Sequence, residues 1–130
     1  MPSLSQRLEE LGLTLPEPIP VRGRFRAVVV RAGLAYVSGA IATTGPPLAV
    51  AFPGTVDVGV SLDDAKASAR GALLAVLAST ADAVGVDAIE SVVHVGGYVR
   101  VAPGFDDVHM VVGAATALAG DLFGDEHLPA

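Results

Sequence analysis

No cysteine occurs in the chain, which excludes a disulfide scaffold, a thiolate zinc site and a cysteine nucleophile. Aromatic residues are scarce: four Phe, two Tyr and no Trp leave Ala, Val and Leu to build the core. Positive charge is scarce as well. Eight Lys and Arg stand against fourteen Asp and Glu, giving a net charge of -6 and an isoelectric point near 4.8. Phosphate contacts need a basic surface, so no nucleic-acid partner is expected. Long helical apolar runs are missing. Ala32 to Val56 carries no charge, but Gly33, Gly39, Gly45, Pro46, Pro47, Pro53 and Gly54 break it, and lipid cannot satisfy a broken backbone. Val108 to Gly120 falls short of the ~20 residues that a span needs. Arg7, Glu9 and Glu10 leave no signal-peptide core. The chain has 130 residues, 52% hydrophobic and 17% charged, enough for one domain and too apolar for disorder. With a mean hydropathy of +0.58, we expect a cytoplasmic protein without a membrane partner, its surplus apolar surface facing other subunits.

Ser3 predicts the cap of a short helix over Leu4–Leu11, ended by Gly12, with Leu4, Leu8 and Leu11 on one face. Pro16, Pro18 and Pro20 stiffen the segment after it, so residues 1–20 read as a capping helix with a Pro-rich linker and 21–130 as the domain. Phe25–Arg31 and Leu34–Ser38 read as two strands joined by the two-residue turn Ala32-Gly33. Thr43–Pro47 reads as a loop and Leu48–Phe52 as a short strand. Ser61 with Asp64 starts a helix that Gly85 stops. Ser91–Val101 carries the strongest strand pattern, with Val93, Val95, Val99 and Val101 on one face and His94, Tyr98 and Arg100 on the other. Gly96-Gly97 within it marks a bulge or a close backbone approach. Asp106 or Asp107 starts a last helix that ends near Gly124. The order gives an α+β class: a mixed sheet with two helices packed on one face.

Four of the eight basic residues, Arg22, Arg24, Arg26 and Arg31, fall within ten positions. They offer guanidinium forks for a carboxylate or phosphate, but no Gly-rich phosphate cradle comes after them. A solvated strand face, paired with a neighbour's acidic side chains, is the reading we favour. His94, His109 and His127 lack metal-ligand spacing, so neither a metal nor a cofactor is expected. His94 and Tyr98 sit together across Gly96, either at a ligand or at a subunit interface. Asp63-Asp64 and Asp106-Asp107 suit helix N-termini, and Asp125-Glu126 lies in a loop. Ser38-Gly39 has no elbow turn into a helix and no base beside it; Ser38 reads as a hydrogen-bond donor to a ligand, not a nucleophile.

The ordered set Gly33-Leu-Ala-Tyr-Val-Ser-Gly39, Ala83-Val-Gly85, Val92-Val-His-Val-Gly-Gly-Tyr-Val99, Ala102-Pro-Gly-Phe105 and Asp121-Leu-Phe-Gly124 resembles the Rid family. These are the YjgF-like reactive-intermediate deaminases, also labelled endoribonuclease L-PSP, and the Ser3–Pro16 preface resembles a bacterial branch of them. The resemblance implies a chorismate-mutase-like fold and a homotrimer with clefts between subunits. It implies hydrolysis of enamine or imine intermediates to 2-keto acids and ammonia, without a cofactor, on a small carboxylate substrate. An Arg would hold the carboxylate, and backbone groups with an ordered water near Ser-Gly would serve the reacting carbon. By position, Ser38 and Gly39 line the cleft, with Phe25, His94 and Tyr98 as further cleft residues. Phe25 stands where active members carry Tyr, Ala40 where Gln is common and Gly113 where Asn is frequent. The family pattern continues past His127-Leu-Pro-Ala130 with the carboxylate-binding Arg and a final strand. A non-enzymatic trimer that binds a small metabolite is the alternative expectation, and a net charge of -6 with a single lysine gives little support to a ribonuclease.

Overall fold

Ser3 closes a capping box on the first helix. Its hydroxyl accepts the Gln6 N–H and the Gln6 side chain accepts the Ser3 N–H, which satisfies donors that a helix start otherwise leaves free. The structure, a computed structural model, describes residues 2–130. Helix α1 spans Leu4–Glu10, as the spacing predicts, and buries Leu4 and Leu8. The residues from Pro16 to Pro20 form neither helix nor strand.

The hairpin arises from its turn chemistry. Strands β1 (Val28–Arg31) and β2 (Leu34–Val37) pair antiparallel, with Arg31 opposite Leu34. Ala32 and Gly33 both take positive φ, 53° and 78°, as a primed two-residue turn demands. Strand β1 starts three residues later than the alternation suggests, because the chain bends through Gly23–Phe25. Thr43–Thr44 (β3) and Ala49–Val50 (β4) make a second small hairpin, and Thr55–Val56 (β5) meets Gly59–Val60 (β6) in parallel.

Helix α2 runs Leu62–Val84, capped by Ser61 Oγ accepting the Asp64 N–H at 3.0 Å and ended at Gly85. Among the described residues it is the one helix long and apolar enough to cross a membrane, a candidate whose scattered charges hide it among the charge-free stretches. Its apolar stripe is used inside the fold. Leu73 and Leu77 pack with Leu118, Ala119 and Leu122 of α3 (Val108–Phe123) and with Leu4 and Leu8 of α1. Fully buried Ala119 takes little space in that packing. Val56, Val60, Ala65 and Val111 form a second cluster with Val99, Val101 and Phe105 against it.

Ser91–Arg100 departs from expectation: it is extended but forms no strand ladder. Its backbone is paired around its middle and at its C-terminal end. Val95 donates to the Ala130 carbonyl while Ala130 donates to Val93, and Val56 brackets Arg100 and Ala102 in a parallel bridge at Val101. Among the described residues the sheet therefore consists of three two-stranded pieces, not one continuous mixed sheet, on an α+β fold. The expected face is corrected as well. Val92 packs on the main core while Val99 and Val101 pack on the second cluster, so inward parity changes across Gly96-Gly97 and Val93 is left 63% exposed. A Cβ on Gly97 would come within 2.5 Å of the Val112 side chain; the glycine lets α3 approach the backbone.

Candidate functional site

One small cavity, of about 70 Å³, gathers residues from three parts of the chain. Ile19, Pro20 and Val21 of the Pro-rich segment, with Phe25 and Ala27, form one side. Ser38, Gly39 and Ala40 after β2 form another, and Ser79 of α2 closes it. Helix α2 packs closely on the segment after β2 at position 71, where a Cβ would lie 2.6 Å from that of Ala42.

The Ser38 N–H continues the hairpin by donating to Ala27 at 2.9 Å, and its hydroxyl donates to the Arg26 carbonyl at 2.9 Å. With its proton directed to the Arg26 carbonyl, Oγ keeps its acceptor capacity. Neither Gly39 nor Ala40 donates its N–H to an acceptor among the described residues, and the space where a Gly39 Cβ would stand is open. No lining residue is titratable. The site is a neutral pocket with a hydroxyl acceptor and two backbone donors at one wall, suited to positioning a polar group and a water, not to taking a proton.

Of the residues singled out in the sequence, Phe25, Ser38 and Gly39 meet here. His94 and Tyr98 do not line the cavity; His94 is exposed and Tyr98 entirely so. Ile19–Val21 and Ser79 escape a sequence reading. The only available signal is a serine on an otherwise apolar helix stripe and an isoleucine flanked by prolines. Among the described residues no three His, Asp or Glu groups converge as a metal site. His127 meets only Glu126, at 4.0 Å. Arg22, Arg24, Arg26 and Arg31 form no ion pair within the described chain.

Outside the cavity, one carboxylate is tuned. The Asp87 side chain accepts the Ser5 hydroxyl at 2.7 and 2.9 Å and the Ser5 N–H at 3.0 Å. These bonds, the hydroxyl foremost, hold its pKa below the ordinary carboxylate value against a small opposing effect of burial.

Two solved structures share this architecture. A "putative endoribonuclease" from Shewanella oneidensis matches over 99% of this chain and 85% of its own, with a TM-score of 0.90 at 19% identity. A protein of unknown function from Agrobacterium tumefaciens matches over 98% of this chain and 78% of its own, with a TM-score of 0.83 at 27% identity. The fold is theirs. No family model and no curated protein matches the chain.

Proposed function

We propose that the chain is a YjgF-like (Rid) protein that hydrolyses small enamine or imine acids to 2-keto acids and ammonia, in the cytoplasm, as a homotrimer. The observation that carries this reading is the convergence of Phe25, Ser38 and Gly39 on one cavity, where the resemblance puts the cleft. The motif order supports it, as does the whole-chain likeness to a protein whose name belongs to that family's vocabulary. Exposed Tyr36, Val58, Val93 and Tyr98 support subunit contacts, through which His94 and Tyr98 of one subunit complete the cavity of the next.

The chemistry suits a site without a base. An enamine such as 2-aminoacrylate tautomerises to 2-iminopropionate. Water adds to the protonated C=N carbon, the carbinolamine loses ammonia, and pyruvate remains. The iminium is electrophilic by itself, so the protein needs chiefly to hold substrate and water together. The unpaired Gly39 and Ala40 N–H groups donate to substrate oxygens, and the Ser38 lone pairs accept a hydrogen bond from the water.

A second reading, a non-enzymatic carboxylate-binding trimer, draws on the same cavity: its lining holds no titratable group, and Phe25 lacks a hydroxyl. Pyruvate release from 2-iminopropionate separates the two. The deaminase reading expects release above the buffer rate and its loss in Gly39→Leu, which adds a side chain at a position where a Cβ meets nothing within 4 Å. A rate equal to buffer, with pyruvate still bound, selects the binding module.

A further inference from the structure

The second concavity of the molecule, a groove of about 520 Å³, runs along the outer edge of β1. It is lined by Arg26, by Val28, Val29, Val30 and Arg31, and by Ala83 near the end of α2. Four consecutive strand residues line it, so it tracks the backbone and not merely one side-chain face. In a hairpin with a two-residue loop, the residues flanking the loop exchange ladder hydrogen bonds, and alternate residues point theirs outward. Arg31 and Val29 therefore bond to β2, and Ala27 continues the pattern by accepting from Ser38. The N–H and C=O groups of Val28 and Val30 face the groove. Neither N–H has an acceptor among the described residues, and the Val30 carbonyl is covered only by the guanidinium of Arg31, at 2.8 Å.

An open strand edge is a template for another strand. This one has a cation at each end: Arg26 and Arg31, five residues and about 16 Å apart along an extended chain, both exposed and without an acidic partner among the described residues. Asp82, next to the Ala83 wall, pairs with neither. In a second copy the carboxylates spaced five residues apart, Asp82 with Asp87 and Asp121 with Glu126, lie in helices and helical turns, and Glu17 and Glu90, outside them, have no such acidic neighbour, so a second copy offers no extended segment with matching carboxylates.

We propose that the β1 edge is a docking site for an extended acidic peptide from another protein. The peptide adds a strand through Val28 and Val30, and its carboxylates engage Arg26 and Arg31. Arg31 then leaves the Val30 carbonyl, which frees the edge and gives its guanidinium a bidentate partner. The site is separate from the Phe25–Ser38–Gly39 cavity and independent of any turnover there.

Fluorescence anisotropy with a fluorescein-labelled Glu-Val-Thr-Val-Thr-Glu peptide tests this on the whole chain. Saturable binding is expected, weakened at least tenfold by the double substitution Arg26→Ala with Arg31→Ala. A peptide of the same charge, N-methylated at alternate amides, should bind at least tenfold more weakly, and the unmodified peptide should slow exchange of the Val28 and Val30 amide hydrogens. Equal binding of the methylated peptide would reduce the site to charge attraction and overturn the proposal. Unchanged affinity in the double variant would overturn it too, as would a change of oligomeric state in that variant, which would assign the edge to contacts between copies.

Discussion

Phe25 brings no hydroxyl, Ser38 turns its proton towards the Arg26 carbonyl, and Gly39 leaves space where a side chain would be. These three residues together make a pocket that positions without titrating. The proposed imine hydrolysis fits such a pocket, because an imine is electrophilic on its own and needs chiefly positioning. Gly97 matters for a different reason. With a Cβ 2.5 Å from the Val112 side chain, Gly97→Val should push α3 off the Ser91–Arg100 segment and cost on the order of 1–3 kcal/mol by overpacking. Denaturant unfolding would read this as a lowered midpoint with an unchanged slope. Gly96→Val is the matching control: its nearest neighbour is the flexible His94 ring, at 3.8 Å.

Among the elements, α1 is fastened in three ways: apolar burial of Leu4 and Leu8, the Arg7 guanidinium donating to the Asp121 carbonyl at 2.6 Å, and the Ser5 contact to Asp87 on the turn after α2. Because the folded pKa of Asp87 lies below its unfolded value, the fastening contributes fully above the unfolded pKa and is lost as pH falls through the folded one. The stability gap between the native chain and Ser5→Ala should therefore be constant from neutral pH down to about pH 4–5 and close below that. Thermal melts of both proteins across pH 2–7 would show it. The helices and the first hairpin are legible in the sequence because their signals are local: Ser3, Ser61 and Gly85 mark helix boundaries, and Ala32-Gly33 dictates a turn. Ser91–Val101 misleads because strand propensity is local while a ladder needs a partner alongside. The parity change at Gly96-Gly97 also reverses the face that strict alternation assigns to Val93. The cavity is legible only where chain neighbours build it: Ser38 and Gly39 can be read from the sequence, but Ser79 and Ile19 arrive through packing that no spacing encodes.

At the scale of the whole molecule, an acidic chain with few aromatics leaves Tyr36, Val58, Val93 and Tyr98 more than half exposed. The proposed homotrimer would cover them and would bring His94 and Tyr98 to a neighbouring cavity. Sedimentation equilibrium should give three times 13.1 kDa, and Tyr98→Arg should shift the population to smaller species. The central claim, that Phe25, Ser38 and Gly39 form the site for a small 2-keto or 2-imino acid, is tested most directly by titrating pyruvate into the labelled protein and following backbone amide resonances. The account predicts saturable shifts of Gly39 and Ala40, with His94 and Tyr98 moving at the same midpoint and Gly39→Leu abolishing all four. Shifts confined to the Arg26–Arg31 edge, or none at Gly39 and Ala40 up to saturating pyruvate, would contradict it.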